Sequence, residues 1–315
     1  MTVRGLQIDG YGVCLPSTTV TFGAETRYRA GAPVEHLSML VDAAGRALAA
    51  AGVGPNDIDC LIGATAGDVQ PIPCTAALVQ EQIAPEAQCA ALDVNSTCTS
   101  FITALDVASQ GYLRDGEYRR ILIVAGDVGA QFLNPEQRES FELFSDAAVA
   151  MVVSSPSNED AGVGVVASLQ QTWPRFAHET ELRGGGSWLP GRDFTPETDG
   201  DYRFDMNGRA VLFSASRVLP GFFERFFAKA GTSVEEIDYV IPHQASRALP
   251  LIMRRIGVPE GRYANYVQDF GNMVSASVPF ALARAWDEGK VGPGSRVLLC
   301  GTAAGLTANA LLLQL

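Results

Sequence analysis

Ala51-Gly52 leads through a short acidic turn to Ile58-Asp59-Cys60-Leu61-Ile62, and Ala230-Gly231 leads in the same way to Ile237-Asp238-Tyr239-Val240-Ile241, an offset of 179 residues. Each copy reads as a helix stopped by glycine, a turn and a buried strand. Glycine takes the left-handed backbone that ends a helix, and a short apolar run bounded by turns fits an interior strand. Two further pairs repeat at nearly the same distance. Ala91-Leu92-Asp93-Val94 runs into a polar turn at Cys98 and then a helix, as Tyr266-Val267 runs into a turn at Asn272 and then a helix, with 174 residues between Cys98 and Asn272. Arg120-Ile121-Leu122-Ile123-Val124 matches Arg296-Val297-Leu298-Leu299-Cys300 at an offset of 176. A nearly constant offset over three elements marks an internal duplication. It is expected to set Cys98 and Asn272 at equivalent points of two halves.

Apolar strands alternating with amphipathic helices imply βα units, mostly parallel sheets, and helices packed against them. The expected boundary lies near residue 165, giving an N-terminal half over 1–165 and a C-terminal half over 166–315. From about 170 to 202 the chain is rich in Gly, Pro and charge (ELRGGGSWLPGRDFTPETDGDY) and too polar for a core. It reads either as a lid-like insertion over a substrate entrance or as an inert surface loop.

The 315 residues are 47% hydrophobic, enough for a large core, and carry a net charge of −12. That charge argues against nucleic acid or an anionic membrane as the main partner, while an acidic carrier protein could still dock on a local basic patch. The N-terminal stretch has no charged segment followed by a long apolar run, and no window approaches about 18 apolar residues, so a soluble, cytoplasmic protein is expected. The six cysteines show no CxxC spacing and no Cys/His cluster, so free thiols are expected and no metal. No P-loop is present, and no glycine-rich dinucleotide fingerprint follows a first strand, so no cofactor is expected.

Open α/β sheets bind ligands at the carboxyl ends of strands, and three polar turns stand at such ends. They are Asn95-Ser96-Thr97-Cys98-Thr99-Ser100, Pro242-His243-Gln244-Ala245-Ser246 and Gly271-Asn272-Met273-Val274-Ser275. Cys98 differs from the other cysteines in its hydroxyl neighbours and its place before a helix, whose free N–H groups are expected to lower its pKa. Of three histidines only His243 directly follows an apolar strand. A thiol, an imidazole and an amide together can form and hold an acyl thioester and donate hydrogen bonds to a developing enolate. The small residues from Gly301 to Thr307 would let backbone N–H groups approach a ligand beside Cys98.

These turns, with the duplication, resemble the β-ketoacyl-acyl-carrier-protein synthase III branch of the thiolase superfamily along nearly the whole chain. The resemblance rests on DVNSTCTSF around Cys98, VIPHQAS around His243, DFGNMVSASVP around Asn272, FSDAAVAMVV at 144–153 and GTAAGLTANALLLQL at the end. It implies a thiolase-like fold of duplicated halves in α-β-α-β-α layers. It also implies an acyltransferase whose acyl-enzyme forms on Cys98, with His243 and Asn272 bonding a malonyl-type thioester as it loses carbon dioxide. The backbones of Cys98 and Ala304 would form the oxyanion hole. Arg138, in NPEQRESF, matches an arginine that touches coenzyme A phosphates in relatives. Ile72, in PIPCTAA, matches a bulky residue that crosses a dimer interface, so a homodimer is implied. Two positions depart from the pattern along the substrate channel, Arg209 and Ser246, where relatives have asparagine. A third departure is in residues 20–35 (VTFGAETRYRAGAPVE), which lack the tryptophan that grips adenine and offer Arg27, Tyr28 and Arg29 instead.

The expected reaction is decarboxylative Claisen condensation in fatty-acid-like or polyketide and secondary-metabolite biosynthesis, with acyl carrier protein delivering at least one thioester. Two alternatives stay open on the same fold. One is acyl transfer from Cys98 to a hydroxyl or amine, which a carboxylate at position 272 would favour and an amide does not. The other is a silent partner subunit, against which stands the presence of all three polar residues.

Overall fold

The structure, a computed structural model, describes residues 3–114, 116–157 and 162–315. The first half runs β1 (Arg4–Gly5), β2 (Gln7–Cys14), β3 (Thr18–Phe22), β4 (Glu25–Arg29), α1 (Glu35–Ala51), β5 (Cys60–Gly63), α2 (Thr75–Ile83), β6 (Ala90–Asp93), α3 (Ser100–Val107), β7 (Arg120–Asp127), α4 (Arg138–Phe141) and β8 (Ala147–Ser154). The second runs β9 (Gly164–Thr172), β10 (Thr180–Glu181), β11 (Asp205–Met206), α5 (Gly208–Ala230), β12 (Tyr239–Pro242), α6 (Leu249–Arg255), α7 (Val267–Phe270), α8 (Ser277–Asp287), β13 (Arg296–Ala303) and β14 (Thr307–Gln314).

Two five-stranded sheets result, ordered β2-β8-β7-β5-β6 and β1-β9-β14-β13-β12. Strand alternation decides the layering, because successive side chains point to opposite faces. Ile62, Ile121 and Ile123 of the first sheet and Ile241, Val297 and Leu299 of the second share one core. That core also holds Phe101 and Leu105 of α3 and Phe280 and Leu282 of α8, so these two helices lie between the sheets. The alternate residues Leu61, Leu122 and Val124 face α1 and α2, and Val240, Leu298 and Leu312 face α5 and α6. The layers are therefore α-β-α-β-α. The central helix α8 is buried over every residue from Ser277 to Ala283, as a helix between two sheets must be.

The expectation of mostly parallel sheets is corrected. Only β5–β6, β5–β7 and β12–β13 are parallel among the pairings of these two sheets. Three residues separate β13 from β14, a connection that only an antiparallel pair can use, and β14 then pairs antiparallel with β9. β1 pairs with β9, so the first residues of the chain belong to the second sheet. β9 continues through Thr172, so the polar stretch begins after that strand and folds into short 3-10 turns. Arg183 ties it together through Glu181, Asp201 and Asp205.

The duplication extends to single hydrogen bonds. Asp59 accepts from the N–H groups of Arg119 and Arg120 at 2.7 and 2.9 Å, and Asp238 accepts from that of Arg296 at 2.7 Å. Each aspartate thus ties the turn before one strand to the start of its neighbour.

Helix α1 lies against β2 because that strand carries Gly10 and Gly12; a Cβ at Gly12 would stand 2.3 Å from the Ala43 carbonyl oxygen. Gly45, on the outer face of the same helix, meets nothing within 4 Å. Two glycine-to-alanine changes should therefore move stability in opposite directions. In urea unfolding Gly12→Ala should cost about 1–3 kcal/mol by overpacking, and Gly45→Ala should add about 0.5–1 kcal/mol by restraining the unfolded chain. Equal shifts would contradict this packing.

Candidate active site

Cys98 sits in a one-turn 3-10 segment, Thr97–Thr99, that feeds directly into α3. The turn is strained: Thr97 has φ 52°, costly for a β-branched residue. Local hydrogen bonds hold it there. The Asn95 side-chain oxygen accepts from the Thr97 N–H at 2.9 Å, and Ser100 Oγ accepts from the Ser96 N–H at 2.9 Å.

The second half repeats this turn. Val274 has φ 51°, its N–H donates to the Asn272 side-chain oxygen at 2.9 Å, and Ser277 Oγ accepts from the Met273 N–H at 2.9 Å. Thr97 and Val274 are the non-glycine residues of positive φ among the described residues. The register of the repeat at the turns is thus 177 residues, from Asn95 to Asn272. This corrects the expected equivalence of Cys98 and Asn272. Asn272 corresponds to Asn95, and Cys98 corresponds to Ser275, because an asparagine that clasps the N–H two residues on defines the turn.

The end of β13 crosses both sites. A Cβ at Gly301 would lie 2.7 Å from the His243 Cβ and 3.4 Å from Thr99 Cγ2, so the strand passes between them only as glycine. Just beyond, the backbone N–H groups of Ala304 and of Cys98 itself lie close enough to the Cys98 sulfur to favour its thiolate.

The environment of the thiol differs from the expectation that a helix start would lower its pKa. Burial pushes Cys98 up to about 12, and the carboxylate of Asp127 adds to the rise, against the pull of those two N–H groups. Asp127, at the end of β7, is itself buried and accepts from the Ala66 and Gly67 N–H groups at 3.0 and 2.8 Å and from Ser275 Oγ at 2.5 Å and N–H at 3.1 Å. It links the loop after β5 to the turn that carries Asn272.

His243 follows β12 with its backbone N–H on the Cys300 carbonyl at 2.7 Å. Its side chain is buried, and burial lowers its pKa to about 4, so the ring is neutral. Nδ1 has no hydrogen-bond partner among the described residues. Asn272 reaches the same turn, its Nδ2 donating to the Ala245 carbonyl at 3.4 Å. Because Oδ1 is held by the Val274 N–H, the second Nδ2 hydrogen remains for a ligand.

Cys98, His243, Asn272 and the Ala304 backbone are thus brought together, and His243 and Ser246 line a cavity of about 320 Å³. Ser246 Oγ accepts from the Ala248 N–H at 3.1 Å in the turn before α6. The other sequence candidates lie outside that lining. Arg209 is exposed at the start of α5. Arg138 is 84% exposed and paired with Glu142, and Ile72 is 84% exposed. Arg27 is fully buried, donating to the Glu142, Thr26 and Gln268 carbonyls at 2.8, 2.6 and 2.9 Å and to Glu25. Tyr28 stacks on Phe270, and Arg29 donates to the Phe141 carbonyl at 2.6 Å. These three side chains are engaged within the protein. Asp127 escapes sequence reasoning about the site; Gly301 is read there as one of several small residues and Ser275 as part of the Asn272 turn, and aligning the two asparagine turns would give Ser275 its place.

The 3-Oxoacyl-[acyl-carrier-protein (ACP)] synthase III family matches residues 92–172, and its C-terminal counterpart matches 227–315. The chain is 31% identical to the β-ketoacyl-[acyl-carrier-protein] synthase III of Thermosynechococcus vestitus, over 100% of this chain and 99% of that protein. It is also 31% identical to one from Clostridium perfringens, over 88% and 84%. Among solved structures, 3-oxoacyl-[acyl-carrier-protein] synthase III from Aquifex aeolicus superposes with a TM-score of 0.86 at 27% identity, covering 99% and 100% of the two chains. The priming β-ketosynthase of the R1128 polyketide pathway gives 0.86 at 26%, covering 100% and 97%.

A thiol raised by burial and by Asp127 should alkylate slowly at neutral pH. Peptide-resolved iodoacetamide labelling of Cys98 should climb by about tenfold per pH unit from 7 to 10 without a plateau, since only the thiolate reacts. Asp127→Asn should move that curve to lower pH, and a plateau near pH 8 in the unaltered protein would contradict the assigned electrostatics.

Proposed function

The chain belongs to the 3-oxoacyl-[acyl-carrier-protein] synthase III family, and from that premise we propose that it joins an acyl group held on Cys98 to a malonyl-type thioester by decarboxylative Claisen condensation, in fatty-acid-like or polyketide biosynthesis. The observation that carries this reading is that the end of β13 packs between His243 and the Cys98 turn, beside a buried His243 with an unpartnered Nδ1 and an Asn272 whose Oδ1 is held so that an N–H is free; the Cys98 and Ala304 N–H groups favour the Cys98 thiolate.

In the first half-reaction the sulfur attacks the donor thioester carbonyl. The oxygen that becomes negative settles between the two N–H groups, which already point at the reacting centre and need no reorganisation. The carrier thiol leaves with the proton that Cys98 loses. In the second, the carbonyl oxygen of the malonyl-type thioester accepts hydrogen bonds from Asn272 Nδ2 and the His243 ring. The bond to the carboxylate breaks, carbon dioxide leaves, and its electron pair forms an enolate that these donors stabilise. The enolate carbon attacks the acyl carbonyl, a carbon–carbon bond forms, and Cys98 departs as thiolate.

The rival reading, transfer to a hydroxyl or amine, needs a general base with a pKa near the working pH. His243, lowered to about 4 by burial, is poorly matched to that task. For the donor, internal use of Arg27, Tyr28 and Arg29 supports acyl carrier protein over free coenzyme A. Arg138, exposed at the surface, remains the candidate for a phosphate, exchanging its bond to Glu142 for one to the ligand. The exposure of Ile72 supports a homodimer in which a second copy covers it. No helix among the described residues is long and apolar enough to cross a membrane.

Separating the half-reactions tests this reading. Cys98→Ala should abolish acyl-enzyme formation, whereas His243→Ala and Asn272→Ala should still acylate but condense about 100-fold more slowly. Because His243 stays neutral well below its ordinary pKa, the condensation rate should show no acid limb near pH 6.5. Variants that condense normally and acylate poorly would reverse the assigned roles. In a separate comparison, matched acyl groups should give a higher kcat/KM on acyl carrier protein than on coenzyme A in at least one half-reaction.

A further inference from the structure

Among the described residues, two charged side chains line the cavity beside His243, Arg247 and Glu139. Arg247 is the cation, and its donors are already engaged. Its Nε donates to Glu25 Oε1 at 2.7 Å and its Nη2 to Glu25 Oε2 at 2.5 Å, and Glu142 lies 4.0 Å from the same Nη2. Two parallel bonds between a guanidinium and a carboxylate hold better than one, because the two planar groups match. The Arg247 guanidinium accordingly keeps the Glu25 carboxyl below the ordinary carboxylate range.

Glu25 is not free to follow Arg247 toward a ligand. It opens β4, which pairs with β3 along its whole length. Two residues on, the buried Arg27 is bonded to the Glu142, Thr26 and Gln268 carbonyls, and its Nη2 donates to Glu25 at 2.5 Å. Tyr28 then stacks on Phe270. The carboxylate is thus fixed from its own strand, and a ligand that takes Arg247 must break both bonds of the clasp.

We propose that Glu25 is a specificity-determining residue: by occupying Arg247 it withholds from free coenzyme A thioesters a cation for their phosphates, and so favours thioesters delivered by a carrier protein. This deepens the carrier preference given above and rests on the condensation assigned there. The asymmetry lies in the two donors. Both present the same phosphopantetheine arm to His243. Coenzyme A adds a second phosphoryl group and a ribose phosphate but no protein surface, so its affinity leans on guanidinium contacts. A carrier protein ends the arm in a single phosphodiester and has a surface of its own with which to bind. A partly exposed ion pair shifts an equilibrium by up to about fivefold, which sets the scale of the discrimination.

Isothermal titration with free coenzyme A reads this without turnover. Glu25→Gln, which keeps the shape and an acceptor for Arg27, should bind coenzyme A about fivefold more tightly than the unaltered protein at low salt. The gain should fade toward about 0.5 M salt as screening grows. The double variant Glu25→Gln with Arg247→Gln should lose it, because the released guanidinium is what binds. In turnover, the ratio of kcat/KM for a malonyl thioester on coenzyme A to that on acyl carrier protein should rise by a similar factor. If Glu25→Gln does not fold, Arg247→Lys, which keeps the charge and gives up the two-point clasp, should show a gain of the same sign. Unchanged or weaker coenzyme A affinity in the folded variants would overturn the proposal. So would a gain that survives in the double variant, or one that carrier thioesters share equally. Because coenzyme A affinity is measured without chemistry, failure of the enzyme to condense would fault the underlying reaction alone.

Discussion

Everything at this site depends on how closely the end of β13 approaches the two sheets' central turns. Gly301 has no side chain, and a single added carbon would collide with His243 on one side and press on Thr99 on the other. That absence lets the strand run on far enough for the Ala304 N–H to join that of Cys98 at the sulfur. It also fixes the imidazole, because the His243 backbone is bonded to Cys300, one residue earlier on the same strand. One extended strand thereby sets the positions of the histidine and of the N–H groups that the proposed mechanism uses as oxyanion donors. A preorganised geometry of this kind is what stabilises charge as it develops.

The second governing condition is burial. It raises the thiol of Cys98, lowers the imidazole of His243 and raises the carboxyl of Asp127. Neutral forms of Cys98 and His243 are therefore favoured, and in the proposed mechanism the work falls on hydrogen-bond donors instead of fixed charges. Asp127 stays in the interior because hydrogen bonds from Ala66, Gly67 and Ser275 satisfy it, as buried polar groups require. Its position has a second effect: Ser275 is the counterpart of Cys98, so the carboxylate braces the unused turn of the duplicated pair beside the working one.

Much of this is legible in the amino-acid sequence. Strand alternation at Leu61-Ile62 and Leu122-Ile123 implies two-faced burial, and the duplication implies two sheets with related helices between them. Cys98, His243 and Asn272 stand out because each lies in a polar turn after an apolar strand. The direction of the strands is not legible, since β13 and β14 are a hairpin whose three-residue link looks like any small-residue turn. The register at the turns is also hidden, because the defining contact is an asparagine oxygen on an N–H two residues away, and offsets counted from Cys98 miss it. Arg27 misleads for a similar reason: an arginine in a polar segment looks like a ligand contact, yet three main-chain carbonyls and Glu25 consume its donors.

The most direct test is a single-turnover balance. Protein carrying one acyl group on Cys98 is mixed with a malonyl-type carrier thioester, and carbon dioxide released is counted against acyl-Cys98 lost and 3-oxoacyl product formed. The account predicts a ratio of one to one to one, with the adduct disappearing from the Cys98 peptide alone. Loss of the adduct without carbon dioxide, as transfer to a hydroxyl or amine would give, would contradict it.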